Sequence, residues 1–294
     1  MPAAGRTPHE FAGLALQSRC GPLFIDQRAG QHISLLDQHM LVIGQGRAGL
    51  HFHQHGGKTA LGVHLRRANV EYEANALYLG SDLARLLNST SRGEGLTFRY
   101  ALTPLTTLVV DGQRYRDRFE FSPERDSEGF EVMPAIELKP LAVVSGRASV
   151  GFRRRTFLNQ EIQEFNGTVA RVDLRYTLRG RTRFGVEMQR DLEYSYRAEQ
   201  SQYVLAALAG SVSHRLSNAW EVEGRAGRSR LTYRHTAVRV GETETVFNYA
   251  VDIGYRLRST RLGVHLRHGE RLSDVSPTRQ YERFQVGSSL TYQF

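Results

Sequence analysis

Lysine and cysteine are nearly missing from this sequence. Of 39 basic residues only Lys58 and Lys139 are lysines, and Cys20 is the single cysteine among 294 residues. One cysteine excludes a disulfide framework and a cysteine zinc centre. No run of about 18 apolar residues occurs, which excludes a transmembrane helix. No glycine-rich phosphate loop links a strand to a helix, so nucleotide binding is not indicated and no cofactor is expected. The mean hydropathy of −0.42 would suit a soluble chain. It equally suits a membrane β-barrel, whose alternating strands average out to polar.

The basic excess, +9 with a pI near 9.9, points to nucleic acid, an anionic membrane surface or an anion-selective pore. Arginine is spread along the chain instead of gathered in one patch, which argues against a nucleic-acid partner. An arginine-for-lysine bias also arises from genome composition alone. The length allows two ordinary domains or one large all-β domain. Met1 to Gln17 lacks an apolar core because Pro8, His9 and Glu10 interrupt it, and Arg19 before Cys20 does not suit a lipoprotein site. An exported protein needs a leader, so the expectation is a truncated or mis-assigned start.

From about residue 91 onward the pattern has period two. Val144, Gly146, Ala148, Val150 and Phe152 alternate with Ser145, Arg147, Ser149, Gly151 and Arg153. Thr168, Ala170, Val172, Leu174 and Tyr176 alternate with Val169, Arg171, Asp173 and Arg175. Phe184, Val186, Met188, Leu192, Tyr194 and Tyr196 oppose Arg183, Glu187, Gln189, Asp191 and Glu193, with Arg190 an intruder on the apolar face. The segments exceed the usual ~5–6 residues of globular strands and suit the ~9–11 that a tilted strand needs to cross a bilayer. Tight turns are expected at 102–105, 139–140, 179–181, 217–218 and 258–260. They alternate with longer connections at 122–128, 158–163, 197–201, 235–242 and 273–278. That asymmetry is what a transmembrane barrel shows. Asp111-Gly112 is a competing hairpin signal, read through because a turn there would leave only residues 106–110 as the preceding strand. Tyr100, Tyr176, Tyr194, Tyr196, Trp220, Tyr233, Tyr249, Tyr255, Tyr292 and Phe294 are expected to form two interfacial girdles. Residues 81–87 suggest a small helix in an extracellular loop. The fold class is therefore all-β, a transmembrane antiparallel up-and-down barrel over 46–294. It would have about twelve strands counted from Thr59, or about fourteen with two more, and 1–45 form a poorly defined N-terminal segment.

The carboxyl end, Val286 to Phe294, places Leu290, Tyr292 and Phe294 on one face and resembles the signal by which bacterial outer-membrane barrels are recognised for insertion. Thr103-Pro104-Leu105-Thr106, the run Arg118 to Pro123, the run Ser145 to Phe152 and Arg181 to Gly185 are similar to β-barrel porins linked with capsule and exopolysaccharide biosynthesis. The resemblance covers 97–294. It implies location in a bacterial outer membrane, contact with outer-membrane lipids and the barrel-assembly machinery, and a polysaccharide or its export complex as further partners.

Candidate lumen-lining charges are Arg147, Arg171, Asp173, Arg175, Arg183, Glu187, Asp191, Glu193, Glu221, Glu223, Arg225, Asp252, Arg256, Arg267 and Arg283. Such a wall selects ions by sign, here anions, and describes a porin-like conduit or accessory barrel. The same charges paired across the lumen would plug it and leave a non-conducting scaffold with partner-binding loops. His51, His53 and His55 share a face, with His64 near by, and could hold a divalent metal; a set of polar rim residues is the favoured reading. Ser213 and His214 point to opposite faces, and Ser211 lies on the wet face, so no nucleophile–base set forms and no enzyme is expected. Arg228 and Arg230 fall on the outward row at headgroup level. They would grip lipid phosphates unless a β-bulge flips the register.

Overall fold

The computed structural model describes residues 40–41, 45–53, 57–74, 76–78, 80–140, 142–197, 200–234, 242–274 and 277–292, the first two stretches as backbone. The elements are β1 Met40–Leu41, β2 Gln45–His53, β3 Thr59–Tyr72, β4 Leu77–Tyr78, β5 Ser81–Asp82 and α1 Leu83–Leu87. Then come β6 Ser89–Thr103, β7 Thr106–Phe119, β8 Ser127–Leu138, β9 Val144–Phe157, β10 Phe165–Leu178 and β11 Thr182–Tyr194. The chain closes with β12 Gln202–Arg215, β13 Trp220–Arg234, β14 Thr243–Leu257, β15 Thr260–Ser273 and β16 Tyr281–Tyr292. β3 and β6 to β16 pair antiparallel in chain order, the twelve long strands expected from Thr59, while β1 and β2 line the free edge of β3. Among the described residues no ladder joins β16 to β1 or β2.

Alternation decides which face each side chain takes. Leu61, Val63, Leu65, Leu96, Phe98, Val150, Phe184, Val186, Val251, Val264 and Leu290 are all exposed, as a lipid-facing row must be in the absence of lipid. The opposite rows carry the charge. Elements far apart in sheet order meet on that second face: Tyr194 of β11 donates to Asp117 of β7 at 2.7 Å, and Arg271 of β15 reaches Tyr196 in the β11–β12 connection. A flat sheet could not make these contacts; a sheet curled around one interior does.

The connections sort by length as expected. At one end lie 104–105, 139–143, 179–181, 216–219 and 258–259; at the other lie 73–88, 120–126, 158–164, 195–201, 235–242 and 274–280. The 179–181 turn is tight because Arg179 and Gly180 both take left-handed backbone, at φ 50° and 67°. β7 runs straight through Asp111 and Gly112, whose partners Met133 and Val132 continue the ladder. β8 begins at Ser127 and so takes the last two residues, 127 and 128, of the connection expected there.

Three aromatics expected at the interfaces are instead interior. Tyr196 and Tyr233 are buried, and Tyr194 bonds inward. The β10–β11 ladder stops at Ala170 and Arg190, while β11 stays paired with β12 to Tyr194. The unzipped end of β11 is free to turn in, and Leu192 then packs with Met133, Phe165 and Val169. Tyr233 points inward because β13 keeps its register to Arg234, which puts odd-numbered residues on the wet face. The girdle at the short-turn end does form: Trp220 lies 4.9 Å from Tyr255, and Tyr176 lies 6.2 Å from Phe184.

Candidate functional site

The interior changes character along the barrel axis. Toward the short turns the wall charges stay in contact with solvent. Arg147 bridges Asp111 at 2.6 Å and Glu137 at 3.0 Å, Arg225 meets Glu187 at 2.5 Å, and Arg261 meets Asp252 at 2.6 Å. Arg175 lies 3.5 Å from Asp173, and Glu221 accepts from Ser213 at 2.9 Å. Arg183, Glu223, Arg256 and Arg267 take wall positions opposite Ser213, Asp252, Arg261 and Gln285. Arg283 donates to Gln285 at 2.5 Å. These contacts run within one strand or between strands one or two places apart in the sheet, so they line a wall without crossing the lumen.

Toward the long connections the interior is filled, and three linked clusters fill it. In the first, Arg153 pairs with both Glu131 and Asp191, and all three are nearly inaccessible (9%, 2% and 3% exposed side chains). Arg171 adds a second cation to Asp191 at 2.5 Å and lies 3.6 Å from Glu131, while Glu193 stands half-buried opposite Tyr203. In the second, Tyr194 bonds Ser127 at 2.6 Å and Asp117 at 2.7 Å, and Arg155 stacks 4.5 Å from the Tyr194 ring and 5.3 Å from that of Tyr115. In the third, Arg271 pairs with Glu244, whose carboxylate also accepts from Tyr233 at 3.0 Å and Arg279 at 3.2 Å.

Two connections fold over this filling. The 73–88 segment turns inward instead of standing out as an extracellular loop. Asp82 caps α1 by accepting from the Arg85 amide, and Leu83 and Leu87 bury against Ala76 and Tyr196. Tyr78 of the same segment stacks edge-on with Tyr196 at 4.8 Å and lies 3.5 Å from Arg271. Burial raises the Tyr78 hydroxyl above its ordinary value, with Arg271 pulling the other way. From 120–126, Arg125 enters the interior and donates to the carbonyls of Ser195 and Arg197; burial pushes its guanidinium down to about 10. Charge is compatible with such burial because most of these groups meet partners; Arg155 is the least satisfied, with Asp117 at 3.8 Å and its Nε and Nη1 without a hydrogen bond.

The remaining candidates fall elsewhere. His51 sits opposite Gly62 and His64 opposite Gly49, which makes them diagonal neighbours, and His53 sits opposite Ala60; His55 lies outside the described residues. Among the described residues no three metal-ligating side chains gather. His214 bonds Thr182 at 2.8 Å on the outer face, away from Ser213. Leu290 and Tyr292 face outward on β16, and Phe294 lies outside the described residues. Arg228 and Arg230 are exposed on the outward row of β13, with Arg228 5.6 Å over Phe247, and the register there has no bulge.

Sequence reasoning passed over Arg155, Glu244 and Arg271. All three lie on the period-two wet face, so the pattern could have included them. Arg125 and Tyr78 sit in irregular connections, where no periodicity marks a direction.

Comparison with solved structures gives neighbours at a TM-score above 0.5. The FrpB iron transporter from Neisseria meningitidis, F5-1 variant, matches at 0.53 with 11% identity, over 85% of this chain and 49% of that one. Its F3-3 variant matches at 0.52 with 8% identity, over 85% and 48%. OmpTdeltaL8, an outer membrane protein of Vibrio cholerae, matches at 0.34 with 10% identity, over 85% and 94%. The chain thus spans about half the length of the FrpB structures, and the likeness is one of fold. No curated protein matches the sequence. Residues 45–294 match the family described as "Putative beta-barrel porin 2". With its apolar outer rows, wet inner wall and asymmetric connections, the chain is an outer-membrane β-barrel and belongs to that porin family.

Proposed function

We propose that this protein is a gated polar conduit of the outer membrane, without catalytic activity, held shut at its outer end. The carrying observation is the gradient along the lumen: solvent-accessible ion pairs toward the short turns and a sealed, charged plug beneath the long connections. A plug of ion pairs differs from an apolar one in being able to rehydrate. Its groups recover solvation when the cap lifts, which offsets much of the lost pairing. The arginine excess on the wall supports a preference for anions. The resemblance of 97–294 to porins linked with capsule and exopolysaccharide biosynthesis supports an acidic surface glycan, or its export complex, as the physiological partner.

The test uses Leu83→Asp, which unseats α1 from Tyr196 without altering a long strand. In planar bilayers the parent barrel should stay almost silent and the variant should give stable steps, with a reversal potential under a salt gradient that favours anions. A variant that is folded by heat-modifiable migration yet silent would replace the conduit with a scaffold whose loops bind partners, the reading the same plug supports if it never opens.

A further inference from the structure

The outer surface carries a feature that conduction does not use. On β7 the side chain at 112 should face lipid, but Gly112 has none. A Cβ built there would meet nothing within 4 Å. The vacancy is the floor of a groove of about 470 Å³ on the outward face, walled by Val63, Leu65, Leu96, Phe130 and Val132 and rimmed by Glu94 and Arg114, which sit opposite each other on β6 and β7.

One step further toward the long connections, the ladder sets Arg67 opposite Arg92 and Arg92 opposite Arg116. The three are exposed and lie abreast on adjacent strands, about 4.8 Å from one to the next. Like charges directly opposite one another are destabilising. Only Arg116 meets a carboxylate here, Glu128 at 3.4 Å; Arg67 and Arg92 have no ion-pair partner among the described residues. The row stands where the apolar band ends, at the level of the outer headgroups. Two of its three arginines therefore lack an anion, and the groove below them lacks an apolar filling.

We propose that this face binds a phosphorylated lipid of the outer leaflet, with one acyl chain in the groove over Gly112 and the phosphate on Arg67, Arg92 and Arg116. One molecule satisfies both vacancies, because a lipid phosphate sits directly above its own chains. Guanidinium groups suit the anionic end through paired, charge-assisted hydrogen bonds.

The experiment refolds the full chain in phosphatidylcholine vesicles that contain phosphatidic acid, diacylglycerol or added inorganic phosphate, and counts retained ligand by native mass spectrometry after mild extraction. Phosphatidic acid should be retained; diacylglycerol, which lacks the phosphate, and inorganic phosphate, which lacks the chains, should not. Gly112→Leu fills the groove with a strand-compatible side chain and should lower retention about tenfold, as should the pair Arg67→Gln and Arg92→Gln. Arg190→Gln removes charge from the outer face of β11, away from the groove, and should change nothing. A comparable loss in that control would reduce the site to diffuse surface charge and overturn the proposal. So would unchanged retention in Gly112→Leu, or retention of inorganic phosphate alone. If the arginine pair fails to fold, Gly112→Leu against the parent still decides.

Discussion

Replacing Arg271 by methionine tests whether the interior is held by paired charge. Arg271 and Glu244 have side chains 4% and 0% exposed, and they face each other across β15 and β14. With methionine at 271 the Glu244 carboxylate keeps Tyr233 and Arg279 but loses its closest cation. Removing one member of a buried pair costs about 3–5 kcal/mol, because the survivor's desolvation is no longer offset. With a urea dependence of ~3 kcal/mol per molar, the upper end for small proteins, the unfolding midpoint of the barrel in vesicles should fall by more than ~1 M. Glu244→Gln alone should cost less, since the Arg271 guanidinium still reaches the hydroxyls of Tyr196 and Tyr233 at 3.4 and 3.3 Å. Combining the two should recover part of the loss, because the charge then left without its partner is Arg279, which is more accessible than Arg271 or Glu244. The assay is urea-induced loss of heat-modifiable migration for the four members of this cycle. A single Arg271→Met variant within about 1 kcal/mol of the parent would refute the reasoning. A double variant no better than that single one would refute it too.

Three further outcomes follow from the same geometry. Arg153→Met should cost about 3 kcal/mol, the lower end of that range, because Glu131 and Asp191 stay near-inaccessible with Arg171 as their remaining cation, whereas Arg114→Gln should cost under ~1 kcal/mol since that arginine and Glu128 are largely solvated; the urea midpoints should separate them clearly. Gly146→Ala should be severely destabilising, because Gly146 has φ +126° and a Cβ there would stand 1.9 Å from the Asp173 carbonyl oxygen, while Gly112→Ala should be neutral or stabilising by up to about 1 kcal/mol. Leu83→Asp should lower the urea midpoint only slightly while changing conductance, since its cluster lies in the connections and meets the wall at strand ends, through Tyr72 and Tyr194.

How far the sequence was legible depends on what each segment packs against. From Thr59 onward one face of every strand meets lipid and the other meets water or charge. Strict alternation is then enforced residue by residue, and twelve strands could be counted without a structure. Strand length carried the reading of β7 through Asp111-Gly112, since a turn there would have left only 106–110 as a strand. A turn there would have cost the pairing of Gly112 with Leu96 and Val132 on both sides, which outweighs a local preference for reversal. Legibility failed where a strand end leaves the sheet. Period two placed Tyr194 on the lipid face, but the ladder to β10 ends at Arg190, and the freed end follows the Asp117 carboxylate inward. It failed again in the 73–88 segment, where hydrophobicity revealed a short helix but not the side to which it turns. The direction is set by Tyr196, more than a hundred residues downstream, and no local pattern encodes a partner at that distance. The two ends of the lumen differ for this reason. The wall is written in each strand separately, whereas the plug exists only once β7, β9, β11, β14 and β15 have been brought around one axis. Wall charges should therefore tolerate single substitutions, and plug charges should respond together.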